Sequence, residues 1–322
     1  MQTSISTDSS LIKGILSGSI PAVSRAISIV EEGGEAGKAL LAQVFSKTNG
    51  IRILGITGSP GAGKSTLTDK IALELASQGK KVAILAVDPS SPFTGGALLG
   101  DRIRMVGSSE KNGIFIRSMA SRGALGGLAP RTKEVIYILD AAGFDVVLIE
   151  TVGVGQGEIE IVRTSDTVLV VLVPGMGDGV QALKAGILEI ADVYAINKAD
   201  YEGVERLEKE LYSVLGLVEN RIWNPKVQRT VATTGSGIPE LMGALQEHWI
   251  SISSSEELVN RRERFLSQYL QDSTLETISR RVVESPQFKE LLSAQVKLLK
   301  EKQTDPVSAI AVLSNVITGP SK

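Results

Sequence analysis

The chain has 322 residues, 43% of them hydrophobic and 22% charged, enough to bury a sizeable core and more than a minimal module needs. Its 34 lysines and arginines against 36 acids leave a net charge of −2, so no bulk field selects a nucleic-acid backbone or an anionic membrane, and any anion site is local. With no cysteine and one histidine, disulfides, thiolate zinc sites, cysteine nucleophiles and paired-imidazole relays are excluded, which leaves backbone amides, carboxylates, lysines and hard cations to carry chemistry.

No apolar run approaches the ~20 residues of a bilayer span. The opening segment, residues 1–10, has neither a basic stretch ahead of an apolar one nor the Arg-rich, acid-free character of a transit peptide. The expectation is a cytoplasmic, bacterial protein with no membrane and no nucleic acid as partner.

Leu11 to Val44 shows helical spacing twice, through Leu11, Ile12, Ile15 and Leu16 and then through Val23, Ala26, Ile27 and Val30, with Pro21 opening the second helix and Gly33-Gly34 closing it. From Ile51 the texture changes to short apolar runs between helical patterns: Ile51–Thr57, Val82–Val87, Ile114–Ile116, Val146–Ile149, Val168–Val173 and Val193–Ile196. Runs that are apolar at successive positions suit strands covered on both faces, the mark of a parallel sheet with crossover helices. A shorter strand at Val227–Val231 and a helix from Pro239 to about Ile250 complete this α/β layer. A charged helical stretch, Glu256 to Lys302, follows, with breaks at Ser285-Pro286 and Thr304-Asp305-Pro306, where Asp305 reads as a cap ahead of proline. The expected organisation is a helical extension over 1–50, a mostly parallel α/β domain over 51–250 and a helical arm over 251–322 that packs on that domain or on a second subunit.

Gly58-Ser59-Pro60-Gly61-Ala62-Gly63-Lys64-Ser65 follows the first strand and opens a helix through Thr66 and Leu67, which is G-x-x-x-x-G-K-[ST] in its strand–loop–helix setting. The glycines let consecutive N–H groups turn inward around phosphates, the helix start adds partial positive charge, Lys64 reaches the terminal phosphates, and Ser65 suits magnesium. Carboxylates that hold the metal and sense the terminal phosphate belong at the C-terminal ends of neighbouring strands. Asp88, ending Val82–Val87, Asp101, after the glycine-rich stretch 94–100, and Glu150, ending Val146–Ile149, meet that condition. Glu150 leads into Thr151-Val-Gly153, where the Gly153 amide can meet a γ-phosphate, and Gln156 is the nearest candidate to orient an attacking water.

Asn197-Lys198-Ala199-Asp200 ends the strand Val193–Ile196 and has the N-K-x-D pattern that reads guanine. Asp200 accepts from guanine N1–H and the 2-amino group, each bond to a charged acceptor being worth roughly 1.5–3 kcal/mol, and adenine lacks both donors. Asn197 ties this loop to the phosphate loop and the Lys198 stem covers the base face.

Together these motifs resemble the MeaB/ArgK/MMAA family of P-loop GTPases. The resemblance rests on the run Gly55 to Thr66, on Asp88-Pro-Ser-Ser-Pro-Phe-Thr-Gly-Gly-Ala-Leu-Leu-Gly-Asp101-Arg-Ile-Arg-Met105, on Glu150-Thr-Val-Gly-Val-Gly-Gln156, and on Leu188-Glu-Ile-Ala-Asp192 followed by Asn197-Lys-Ala-Asp200, and it spans Arg25 to about Leu245. It implies a GTPase that binds GTP and GDP with Mg²⁺, gates cofactor loading of an adenosylcobalamin-dependent acyl-CoA mutase, methylmalonyl-CoA mutase or a relative, and protects that enzyme from inactivation. It further implies that Ser65, Asp88, Asp101 and Glu150 form the magnesium site and its switches, that Lys184 belongs to a segment moving towards the nucleotide when the partner is bound, that the Ala232 amide faces guanine O6, and that the tail is the arm of a homodimer. Gly157 stands where the family usually has serine, Gly179 where it has an acid, and Val231 precedes Ala232 where Ser-Ala is common.

Other classes remain. A small-molecule kinase, in line with the older arginine/ornithine transport label, needs a general-base aspartate beside an acceptor pocket, and none stands out beyond the metal carboxylates. A nickel-insertion GTPase of related fold carries metal on His and Cys, which one His248 and no cysteine cannot supply. His248 reads as a helix residue packed near the sheet. A non-catalytic nucleotide-binding scaffold is disfavoured by the intact metal carboxylates and Gly153.

Overall fold

Seven strands pair side by side, all in parallel, in the computed structural model, which describes residues 9–88, 113–120, 131–151, 157–175, 191–216 and 222–318. They are β1 (Arg52–Gly58), β2 (Val82–Asp88), β3 (Phe115–Ala120), β4 (Val146–Thr151), β5 (Thr167–Leu172), β6 (Val193–Ile196) and β7 (Lys226–Arg229), in the order β3-β2-β4-β1-β5-β6-β7. The expected α/β class and every expected strand are present, with ends displaced by up to four residues. β1 is central, with Ile56 opposite Glu150 of β4 and Gly58 opposite Val171 of β5.

Alternate side chains of each strand enter different layers, which is why the inner strands β4, β5 and β6 are buried at every position. Leu54, Ile56, Ile84 and Leu148 pack against α4 (Lys64–Ser77) and α8 (Ile238–Ser253). On the other face Ile53, Leu85, Val147 and Ile149 pack against α5 (Thr132–Ala141) and the N-terminal helices. A third cluster joins Val168, Val170, Tyr194 and Ile196 to Leu207 and Leu211 of α7 (Val204–Leu215). Ile161 of α6 (Gly157–Thr164) is fully buried. Each such Leu or Ile contributes about 1.5–3 kcal/mol when fully buried.

The N-terminal segment forms three helices where the spacing predicts two: α1 (Ser9–Leu16), α2 (Ile20–Glu32) and α3 (Gly34–Val44). Gly33, at φ 75°, closes α2, but Gly34 then opens α3. The glycines at 34 and 37 lower helical propensity there, and burial of Leu40 and Val44 in the core shared with α2 and α5 outweighs it. These helices belong to one compact unit with the sheet, Met1–Arg262, and Glu263–Lys322 forms a second. The chain parts inside α9 (Glu257–Glu284), about a dozen residues beyond the boundary that composition suggests. α10 (Pro286–Lys300) and α11 (Pro306–Thr318) begin at the expected breaks. Ser285 Oγ accepts from Phe288 N, and Asp305 accepts from the amides of Val307 and Ser308, as N-caps do.

Candidate nucleotide site

Gly58, Asp88, Glu150 and Asn197 lie at or just past the C-terminal ends of β1, β2, β4 and β6, so one edge of the sheet carries these four predicted residues together, and Thr230, just past β7, lies at the same edge. The loop after β1 turns through Ser59 to Gly63, with Ala62 N donating to Ser59 O at 3.1 Å. Gly63 caps α4 at φ 85°, and a Cβ there would lie 2.5 Å from Asn197 Nδ2; at Gly58 it would lie 2.1 Å from Val171 O. Only glycine satisfies both the backbone and the space at these positions. Lys64 opens α4 with its side chain buried over the loop, Nζ donating to Gly58 O at 2.9 Å and Ser59 O at 3.0 Å. Pro60, Gly61 and Thr66 are exposed.

Ser65 Oγ donates to Glu150 Oε1 at 2.5 Å, and Glu150 is buried. Beneath it Thr151 Oγ1 donates to Thr57 Oγ1 at 3.0 Å, joining the ends of β4 and β1. A serine hydroxyl and a carboxylate, both hard oxygen donors, fit magnesium, which takes one or two protein oxygens beside phosphate and water. Among the described residues no group of three or more His, Cys, Asp or Glu gathers as a denser cage.

Asn197 is buried after β6, and its side chain joins three loops. Nδ2 donates to Ala62 O at 2.8 Å, and Oδ1 accepts from Ala232 N at 3.0 Å and Thr230 Oγ1 at 3.3 Å. Lys198 takes φ 55°, a strained conformation for a residue with a side chain, and its ammonium stands 5.9 Å from the Tyr201 ring centre. Asp200 is exposed. The Ala232 amide, expected at guanine O6, is engaged by Asn197.

The family described as methylmalonyl-CoA mutase-associated GTPase MeaB matches residues 23–287. The chain belongs to the MeaB family. It is a GTPase and takes guanine nucleotides. A protein of Pyrococcus horikoshii carrying a provisional GTPase label is 43% identical over 314 residues, 96% of this chain and 98% of its own. The methylmalonic aciduria type A homolog, mitochondrial, of Mus musculus is 36% identical over 254 residues, 77% of this chain and 60% of its own. A solved structure described as LAO/AO transport system kinase superposes with a TM-score of 0.70 at 27% identity, covering 96% of this chain and 97% of its own. The family match reaches past Leu245 into α10, further than the motifs alone.

In this MeaB-family chain the backbone of Asp88 closes β2 opposite Ala120. The Asp88 side chain and Asp101, Gly153, Gln156 and Lys184 lie outside the described residues. Thr230 was not foreseen; its position directly after β7, at the same sheet edge, is the signal that could have found it.

A second polar cluster lies under the opposite edge of the sheet in the MeaB-family fold. His248, on α8 as expected, is fully buried with Nδ1 3.0 Å from Thr167 Oγ1 and Nε2 3.2 Å from Asp192 Oδ1. Trp223 Nε1 donates to Asp192 O at 2.8 Å. Burial works against the Asp192 carboxylate, but His248 and Arg261 outweigh it and hold its pKa below the usual 3.8. Burial likewise opposes the Arg261 charge, and the bonds and charges of Asp192 and Glu257 overcome it and raise its pKa. For Arg52, burial dominates over the charge of Asp166 and lowers the pKa to about 10.

Among the described residues no helix is long and apolar enough to cross a membrane.

Proposed function

We propose that this GTPase serves an adenosylcobalamin-dependent acyl-CoA mutase, methylmalonyl-CoA mutase in the first place, by gating cofactor loading and protecting the enzyme from inactivation. The family match over residues 23–287 carries this reading, since its description ties the family to that mutase. The mouse relative named for methylmalonic aciduria supports it.

At the site, Lys64 exchanges its two carbonyl acceptors for phosphate oxygens, a charge-assisted and stronger pairing. Ser65 and Glu150, with Asp88 and Asp101, hold magnesium, which when bound neutralises charge developing on the transferred phosphate. The Gly153 amide meets the γ-phosphate and Gln156 orients the attacking water. Asp200 accepts from guanine N1–H and the 2-amino group, Lys198 covers the base, and the Ala232 amide serves O6 by sharing its bond to Asn197. Lys184 moves towards the phosphates when the partner docks. The protein works in the cytoplasm as a homodimer with residues 251–322 as its arm.

The test is GTP turnover by the purified protein with and without a mutase from the same genome. Turnover alone is expected to be slow, as in unassisted G proteins, whose deficit reaches about 10⁵-fold. A cognate mutase raises it, and Lys184→Ala removes the increase. No increase with any cognate mutase would contradict the partner, and phosphoryl transfer to arginine or ornithine would favour the kinase reading that the solved relative's name carries.

A further inference from the structure

Two neighbouring arginines of α9 grip the far ends of the strands that carry the nucleotide site. Arg261 sends Nη1 and Nη2 to the two carboxylate oxygens of Asp192 at 2.8 and 2.9 Å, and Nη1 also to Asp166 O at 2.9 Å. Arg262 reaches both carboxylate oxygens of Asp166 at 3.1 Å and the carbonyls of Gly50 at 3.3 Å and Ile51 at 3.1 Å. Asp192 in turn accepts from Val168 N in β5 at 2.8 Å, and Asp166 from Ile53 N in β1 at 2.9 Å.

Both carboxylates are shielded more than the arginines that hold them: 8% of the Asp192 side chain and 3% of Asp166 is exposed, against 23% of Arg261 and 34% of Arg262. A buried carboxylate that loses its partner is costly, so each strand start is held to its arginine fork. Asp192 immediately precedes β6, and β6 is only four residues long before Asn197. At about 3.3 Å per residue that is a spacer of roughly 13 Å. Such a strand has no slack: Val193–Ile196 are all buried, and slipping the pairing with β5 by one residue would turn every side chain to the wrong layer. Ile51 stands in the same relation to β1, whose far end is the phosphate loop.

We infer that Arg261 is a positioning residue for guanine recognition, acting through Asp192 and β6, while Arg262, acting through Asp166 and β1, positions the phosphate loop. The inference rests on the reading of Asp200 as the guanine acceptor. Arg261 touches no nucleotide; it sets where Asn197 and Asp200 stand. Lysine in its place keeps the charge and loses the planar fork that spans both carboxylate oxygens.

The experiment uses the full chain and measures Kd for GDP and for inosine diphosphate by calorimetry, with melting temperatures alongside. Inosine lacks the 2-amino group, so the ratio of the two constants reports the base contacts alone. The wild-type protein is expected to prefer GDP by about tenfold or more, the worth of one bond to a charged acceptor. Arg261→Lys, and independently Asp192→Asn, which keeps the side-chain shape, are expected to bring the ratio within about threefold of unity. Arg262→Lys is expected to weaken both nucleotides together and leave the ratio unchanged. An Arg261→Lys or Asp192→Asn protein that melts lower with its ratio intact would make the cluster merely structural and overturn the inference. An equal fall of the ratio in Arg262→Lys would show general loosening and overturn it too. A wild-type ratio near one would instead overturn the reading of Asp200 itself.

Discussion

The side-chain amide of Asn197 donates to the carbonyl of Ala62 at 2.8 Å, across 135 residues of chain, and its oxygen accepts from Ala232 and Thr230. The loops after β1, β6 and β7 are therefore one bonded unit. Asn197→Ala leaves a buried carbonyl, amide and hydroxyl without that partner, a loss of roughly 1–3 kcal/mol of stability. GDP affinity is expected to fall at least about tenfold with it, because the loops proposed to hold phosphate and base lose their common register. Denaturant unfolding and calorimetry check both, and an unchanged value in each would contradict the role given to this side chain.

Lys64→Ala is expected to abolish productive GTP binding. The ammonium held now by Gly58 O and Ser59 O is the charge that the β- and γ-phosphates would take over. A loss of about 10²-fold or more is the expected size, from one or two charge-assisted bonds at roughly 1.5–3 kcal/mol each. Titration calorimetry with GTP decides it, and full affinity in the variant would remove Lys64 from the phosphate site.

For Glu150→Ala the expected pattern is a split. Hydrolysis drops more than GDP affinity if the carboxylate bonded to Ser65 acts, as proposed, on the terminal phosphate and its metal. Single-turnover rates and GDP titrations on one preparation separate the two. Equal losses would mark a folding defect.

Acid tests the Asp192 cluster. The folded-state pKa of Asp192 lies below its ordinary 3.8, so the folded protein binds this proton more weakly than the unfolded chain. Its contribution is complete above about pH 4 and is lost as the pH falls through the folded value. Unfolding free energy measured from pH 5 down to 2.5 is expected to decline less steeply in Asp192→Asn than in wild type. Identical slopes would show that this carboxylate is not among those driving acid unfolding.

Much of this fold is legible because its signals are local. Doubly covered strands read as unbroken apolar runs, and the glycines, Lys64 and Ser65 declare a phosphate loop between a strand and a helix. Asn197 and Asp200 stand, as their spacing predicts, just past a strand end. Less was visible where structure arises from contacts between distant segments. Helix α3 holds through burial of Leu40 and Val44 against α2 and α5, despite Gly34 and Gly37. Thr230 matters through the Asn197 amide, 33 residues earlier, and Arg261 through Asp192, 69 residues earlier. A threonine after a strand and an arginine in a charged helix look like ordinary surface residues until the sheet brings their partners beneath them.

The most direct measurement of the account is the nucleotide preference of Asp200→Asn. An amide can donate where xanthine presents a carbonyl and guanine an amino group, so the variant is expected to hydrolyse xanthosine triphosphate in preference to GTP, the reverse of wild type. Continued preference for GTP in the folded variant would contradict the site built from Ala62, Asn197 and Asp200.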